Sequence, residues 1–330
     1  MLDAALAAGL NLPHSCKGGN CGACRARLLE GEVSYPNGAP LGLSGSEVAE
    51  GLILLCQVQA RGDLTLETFE AGAPEEVRIK RLPARIERTE RLSHDVMAVY
   101  LRLPAAEPFA FLPGQYLDVM LSKGRRRSFS IASPPHDSRL LELHVRRAPG
   151  GEFTEQLFSD EMRSPLLTIE GPLGHFIYRE DAGPDPPPML LIGGGTGLAP
   201  LKSILRHVLD RGLRREMILY WGVREERDLY AHAQLQAMVG SAANLRYRPV
   251  LSQPSPAWTG LTGFAHRAAL GELAAVERYE VYASGPPAMI EAIRRDFPEH
   301  GVVPSRLYFD SFDYAPDSPA RQRTRADTRS

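Results

Sequence analysis

A chain of 330 residues has room for two or three domains, and 43% hydrophobic with 24% charged residues is the composition of an ordinary globular protein. A formal net charge of −2 and the lack of a dense lysine–arginine block exclude an electrostatic nucleic-acid binder, and no apolar run approaches the ~18 residues of a membrane span. Leu2 to Leu10 is too short and has no basic flank to be a signal peptide, so the expected partners are small molecules and another protein in the cytosol.

Leu2, Ala5, Leu6 and Leu10 share one face at helical spacing, and Gly9 with Asn11 supplies the stop. Three cysteines follow in C-x4-C-x2-C spacing, Cys16, Cys21 and Cys24, in a loop rich in glycine. The fourth and last cysteine, Cys56, comes 31 residues later. Between them Arg25 to Tyr35 reads as one strand ending at Pro36-Asn37-Gly38. Leu52 to Leu55 is a short apolar run into Cys56, and Leu64 to Leu66 closes the unit.

The cysteine spacing is the plant-type pattern for a [2Fe–2S] cluster, with glycines that let backbone amides approach the sulfurs. A structural zinc site would pair C-x2–4-C twice over, and disulfides would need an oxidising compartment. From about Leu2 to Glu70 the segment resembles the plant-type ferredoxin family, whose β-grasp fold opens with a two-stranded hairpin before this helix. The sequence starts at Met1 without that hairpin. The expectation is that the printed start lies downstream of the true one, leaving Val33 and the Leu64–Leu66 strand without neighbours.

The pattern breaks at Gly72 and Pro74, so residues 71–76 read as a linker. Val96–Leu103, Gln115–Leu121 and Leu140–Arg147 then read as half-buried strands of a small antiparallel barrel, up to a boundary at Pro184–Pro188. From Met189 strands and helices alternate: Met189–Ile192, Leu198–Arg211, Met217–Trp221, Leu229–Val239, Leu245–Val250, Phe264–Ala274, Tyr279–Ala283, Pro287–Phe297, Leu307–Phe309. That rhythm predicts a parallel sheet with helices on both faces. Residues from Ala315 on have almost nothing to bury and read as a disordered tail.

Gly193-Gly194-Gly195-Thr196-Gly197 follows a buried strand and opens a helix, the arrangement of a pyrophosphate cradle. Pro200 stands where the third glycine of G-x-G-x-x-G would be, so a plain tight turn is the competing reading. Arg125-Arg126-Arg127-Ser128-Phe129-Ser130, between two barrel strands, reads by itself as a solvated basic loop. The order Arg127-Ser128-Phe129-Ser130, Pro149-Gly150-Gly151-Glu152-Phe153-Thr154, the Gly193 loop and Ser284-Gly285-Pro286-Pro287 resembles the ferredoxin–NADP reductase superfamily, from about Arg78 to Tyr314.

That resemblance implies that Arg127 neutralises a flavin phosphate, Phe129 lies against the isoalloxazine and Ser130 hydrogen-bonds near flavin N5. It implies that Gly150, Gly151 and Thr154 belong to a second phosphate segment, which favours FAD, and that Gly194, Gly195, Thr196 and Gly197 hold the dinucleotide. Ser284, Gly285 and Pro286 would line the nicotinamide pocket, and Phe312 would cover the flavin until nicotinamide displaces it. Ser130, Ser284 and Phe312 are the catalytic candidates, and Ser128 and His144 are carried as cofactor-side residues. As a ring in a half-buried strand, His144 also reads as packing, like Trp221 and His175. Asp310 and Tyr314 flank Phe312. Phe129 replaces the usual tyrosine and Ser284 the usual cysteine.

The resemblance gives a multidomain chain: a ferredoxin-like domain at 1–73, an FAD-binding barrel at 78–183, an NAD(P)H-binding α/β domain at 189–314 and the tail at 315–330. Electrons would run from NADH or NADPH through FAD and the cluster to a protein acceptor. Arg126 to Ala132, Leu141 to Arg147, Leu219 to Arg224 and Tyr282 to Pro287 resemble the CDP-6-deoxy-Δ3,4-glucoseen reductase family, which implies a deoxysugar dehydrase as redox partner. The layout also resembles reductase components of bacterial oxygenases. The mixed charge of Arg224 to Asp228 points to NADH over NADPH. The reading from another class is a non-enzymatic iron–sulfur carrier or redox sensor.

Overall fold

The computed structural model describes all residues other than 9, 11, 15, 16, 20, 21, 41, 44, 69–76, 160–164, 181–185 and 313–330, and the side chains of all of these other than residues 7 and 46. The expected linker at 71–76, Tyr314 and the tail from 315 lie outside the described residues, as do Cys16 and Cys21.

The N-terminal unit holds α1 (Leu2–Ala7), β1 (Arg25–Glu30), β2 (Val33–Ser34), α2 (Gly45–Ala49), β3 (Leu52–Leu54), β4 (Gln59–Ala60) and β5 (Thr65–Glu67). Its main sheet runs β3-β1-β5 and is antiparallel, with β2 and β4 as a separate pair. Three expectations change. The single strand over Arg25–Tyr35 is two strands, because the chain turns at Gly31, whose φ of +94° suits glycine alone. Leu10 does not join the buried helix face: α1 stops at Ala7 and Leu10 is 49% exposed. Neither Val33 nor the closing strand lacks a neighbour, since Val33 pairs with Ala60 and Leu66 with Leu28. Leu2, Ala26, Ile53, Leu54, Leu55 and Val58 form the core, and Cys24 is buried among them.

The middle unit contains β6 (Lys80–Arg91), β7 (Val96–Arg102), β8 (Tyr116–Met120), β9 (Arg126–Ser130), β10 (Leu140–Arg146), α3 (Glu152–Phe158) and β11 (Leu166–Leu173). The strands run β10-β7-β6-β11-β8-β9, all antiparallel, and a bridge between Ile131 and Leu143 joins the two ends into a barrel. Arg126–Ser130 is therefore a strand and not a loop between strands. Arg126 is exposed and Arg127 half-buried, while Ser130 reaches the interior. β6 alternates, with Leu82, Ala84 and Ile86 inward and Arg81, Arg85 and Glu87 outward, and its charged face hides a strand from a reading of hydropathy.

The last unit is β12 (Met189–Gly194), α4 (Leu198–Asp210), β13 (Met217–Val223), α5 (His232–Ser241), β14 (Leu245–Leu251), β15 (Leu261–Thr262), α6 (Ala265–Glu272), β16 (Glu280–Gly285), α7 (Pro287–Glu299) and β17 (Leu307–Ser311). The sheet is parallel throughout in the order β15-β14-β13-β12-β16-β17. α5 begins three residues after the expected Leu229, because Glu225 and Asp228 cap a separate turn there. Apolar clusters cover both faces. With β12 between β13 and β16, the strand order reverses at β12. The crevice beyond the carboxyl ends of β12 and β16 is the place such sheets hold a ligand.

Candidate functional site

Ser130 ends β9 facing inward, 7% exposed, and its hydroxyl donates to Asp310 Oδ2 at 3.4 Å. Asp310 belongs to β17, so this bond crosses from the barrel to the nucleotide sheet. Directly opposite Asp310 in the strand register is Ser284, fully buried, whose Oγ has no hydrogen-bond partner among the described residues. Ser311 Oγ is in the same position, buried and unpartnered. A buried hydroxyl left open costs free energy unless a ligand completes it, so the open Ser284 beside Asp310 suits a polar ligand at the end of β16. Phe312 follows at once. Its amide donates to Gly285 O at 2.9 Å, which fixes the half-buried aromatic at the mouth of the same crevice.

The rest of the barrel side gathers along β9. Phe129 is half-buried with its ring 5.6 Å from that of Phe153. Ser128 donates to Asp118 at 2.6 Å, and Arg127 donates to Arg126 O at 2.8 Å. Arg126 pairs with Glu170 and Asp118. Arg125 pairs with Glu152 in the first turn of α3, so the start of β9 is fastened to the Gly150–Thr154 segment. Within that segment the Gly151 amide is taken by Ala148 O at 2.8 Å and the Gly150 amide approaches Glu155 at 3.3 Å. The Thr154 hydroxyl accepts from the Ala148 amide at 3.1 Å. These three residues shape the turn that opens α3, whose first amides have no partner within the helix.

On the nucleotide side the chain packs without side chains. A Cβ on Gly197 would fall 2.1 Å from Ser284 O, and one on Gly194 would fall 2.9 Å from Pro286, so the glycine loop rests directly on the Ser284-Gly285-Pro286 turn. Thr196 sits in the single turn between β12 and α4. Trp221 Nε1 donates to Gly195 O at 2.9 Å and holds the loop from beneath. Arg146 of β10 approaches from the barrel, with a guanidinium nitrogen 3.0 Å from where a Gly195 Cβ would be. Its charge at this loop is invisible in sequence, because the two segments meet only in the fold. Asp310 was legible only as a neighbour of Phe312, and its bond to Ser130 is tertiary for the same reason.

His144 is buried and engaged at both nitrogens, with Nε2 2.9 Å from Glu142 Oε1 and Nδ1 3.0 Å from the Tyr230 hydroxyl. Lys202 of α4 donates to the same Glu142 oxygen at 2.6 Å. Burial pushes the Glu142 carboxyl up, but His144 and Lys202 more than reverse this and hold it at about 2. Burial keeps His144 below its ordinary value, so the ring is neutral, donating from Nε2 to the carboxylate and accepting the Tyr230 proton at Nδ1.

At the N-terminal end Cys24 is buried just before β1, and Cys56 is partly exposed just after β3. Neither is in a disulfide. Gln57 reaches from beside Cys56 to Lys17 O at 3.1 Å, and Gly42 donates to Gly19 O at 2.7 Å. Arg25 donates to Gly22 O at 3.1 Å and Gly42 O at 3.3 Å. Side chains thus brace the cysteine loop from its inner side. The donor set suits an iron–sulfur cluster, the open serines suit a flavin–nicotinamide pair, and the side-chain-free loop suits a dinucleotide.

Three family models match in chain order: a 2Fe-2S iron-sulfur cluster binding domain at residues 1–61, an oxidoreductase FAD-binding domain at 83–178 and an oxidoreductase NAD-binding domain at 191–295. The chain is 35% identical over 312 residues to CDP-6-deoxy-L-threo-D-glycero-4-hexulose-3-dehydrase reductase of Yersinia pestis, covering 94% of this chain and 92% of that protein. It is 37% identical over 316 residues to the reductase subunit of an Amycolatopsis aromatic O-demethylase, covering 94% and 93%. The crystal structure of the Amycolatopsis cytochrome P450 reductase GcoB superposes with a TM-score of 0.77 at 36% identity, over 94% of this chain and 93% of that one. Similarity that runs through all three units and nearly the whole length of these reductases leaves one conclusion: the chain belongs to the ferredoxin–NADP reductase superfamily, as an NAD(P)H-dependent oxidoreductase with FAD and a [2Fe–2S] cluster.

Proposed function

We propose that the protein passes electrons from NADH through FAD and the cluster to a deoxysugar dehydrase in the cytoplasm, with domains at 1–73, 78–183 and 189–314. The observation that supports this reading most is the meeting of Ser130, Asp310 and Ser284 at one buried place between the barrel and the nucleotide sheet. When bound, the flavin turns one hydride into two single electrons and the cluster passes them on singly. The Ser130 hydroxyl, aligned by Asp310, orients the flavin at N5. The Ser284 hydroxyl and the Gly285-Pro286 turn position the nicotinamide, and Phe312 excludes water until it arrives. Arg127 and the first amides of α3 hold the flavin phosphates; Arg146 with Gly194–Gly197 holds those of the dinucleotide. Cys16, Cys21, Cys24 and Cys56 are the cluster ligands. His144 holds the barrel to the nucleotide domain.

NADH is favoured because carboxylates crowd the turn after β13. Glu225 and Asp228 cap each other, Arg227 is paired with Glu225 at 2.8 Å, and Glu226 accepts from Ser255. A 2′-phosphate would meet negative charge there. A kcat/KM higher for NADPH overturns the preference.

The second reading, an oxygenase reductase component, is favoured by the likeness to the O-demethylase subunit and GcoB. The two are separated by adding to NADH-reduced holoprotein the acceptor encoded beside it. Rapid reoxidation by a sugar dehydrase with bound substrate supports the first reading. Reoxidation by an oxygenase component alone overturns it.

A further inference from the structure

We propose that the contact between His14 and His175 is the electron-transfer junction of the molecule, setting the position of the cysteine loop against the flavin barrel; this rests on the flavin-to-cluster route above. His14 lies two residues before Cys16, and His175 lies two residues after β11. Each is bonded to the other's backbone: the His14 amide donates to His175 Nδ1 at 2.8 Å and the His175 amide donates to His14 O at 2.7 Å. The rings pack edge to face with centroids 5.1 Å apart, and His14 is 1% exposed. His14 Nδ1–H is itself fixed on Leu12 O at 2.8 Å. A pair of opposed bonds across two domains fixes both separation and orientation, which a single surface ion pair does not.

From His175 the bonded path continues to the flavin side. Gly174 O accepts from Gln115 Nε2 at 3.0 Å, and Gln115 O accepts from the Ile131 amide at 3.0 Å. Ile131 follows Ser130. Every link from Ser130 to His14 is therefore a covalent or hydrogen bond, with no gap to cross. Electron tunnelling decays less steeply through bonds than through empty space, so this bonded chain is the route the proposal assigns. In each transfer one electron leaves the reduced flavin and enters the oxidised cluster. A hydride supplies two, so two transfers empty the flavin, a one-electron acceptor clears the cluster between them, and the flavin proton goes to solvent.

The test uses holoprotein carrying His175→Phe, which keeps ring bulk and removes the acceptor, and His175→Asn, whose Oδ1 can still take the His14 amide. Under anaerobic NADH, stopped-flow absorbance follows flavin reduction, freeze-quench electron paramagnetic resonance follows cluster reduction, and hydrogen exchange reports protection of the His14 amide. The expected result is wild-type flavin reduction and ferricyanide turnover in both variants. In His175→Phe, cluster reduction and cytochrome c turnover are slowed severalfold, because the lost bond opens a gap in the path, and His14 exchanges faster. His175→Asn restores both. Wild-type cluster reduction in His175→Phe overturns the proposal. So does equal slowing in the Asn variant, or flavin reduction falling in step with cluster reduction, which marks a merely structural role. A wild-type protein whose cluster NADH never reduces overturns instead the function on which the proposal rests.

Discussion

The barrel meets the nucleotide domain through buried charge, while the iron–sulfur unit meets the barrel through the His14–His175 bonds and the nucleotide domain through a partly exposed ion pair. At the first junction Lys202, Glu142, His144 and Tyr230 form one buried network, and Ser203 adds a bond to Ser133 O at 2.8 Å. At the second, beside the His14–His175 contact, Arg294 of α7 approaches Glu47 at 3.6 Å, and Glu47 also pairs with Arg25 at 2.9 Å. Buried pairs resist separation because each partner would be left without water or counter-charge, whereas exposed pairs exchange readily with solvent. The barrel and the nucleotide domain are thus held together by buried pairs. The N-terminal unit is held to the nucleotide domain more lightly.

The largest test of this contrast is Cys56→Ser, expected to abolish the cluster and its visible spectrum while NADH still reduces the flavin at the wild-type rate. Bound zinc in the wild type, or an unchanged spectrum in the variant, overturns the cluster assignment. Next comes Lys202→Met, which strands Glu142 as an uncompensated buried charge and should destabilise the two-domain core by about 3–5 kcal/mol. Thermal unfolding followed by flavin release measures it; a change under about 1 kcal/mol would show the network to be dispensable.

Acid gives the same contrast without mutation. The Glu142 carboxyl is held from its ordinary value of 4.5 down to about 2, a depressed acid, so its contribution is complete above the unfolded value and is lost as pH falls from 4.5 toward 2. Stability of the core measured across that window should fall in the wild type and fall less in Glu142→Gln.

Ser130→Ala should slow flavin reduction by the ~1–3 kcal/mol of a lost buried hydrogen bond, about 5- to 150-fold, with little change in stability. Stopped-flow reduction at the wild-type rate removes Ser130 from the site. Smallest is Glu47→Gln, which loses a partly exposed pair and should cost less than about 1 kcal/mol in unfolding of the N-terminal unit. A larger loss would show the second junction to be stiffer than its geometry implies.

The order of three units, the four cysteines and the alternation from Met189 are legible in the sequence because each is local: spacing, glycine content and period are carried by neighbouring residues. β6 escapes that reading because its outward face is charged, and alternation with arginine and glutamate looks like loop until the inward residues are seen to share a core; β9 escapes it because it opens on adjacent arginines. The split of the first strand at Gly31 is written in one residue whose backbone angle only the folded chain reveals.

What the sequence by itself determined is the chemistry available: thiolates for a cluster, bare backbone for phosphates, hydroxyls and aromatics for a flavin and a nicotinamide. Which of those groups meet was decided only by the tertiary structure. Ser130 and Asp310 are separated by 180 positions in the chain, His14 and His175 by 161, and Glu142 and Lys202 by 60. No local propensity encodes such pairings; they form because barrel closure, the parallel sheet and the docking of the N-terminal unit bury apolar surface first and bring the polar groups together as they do so.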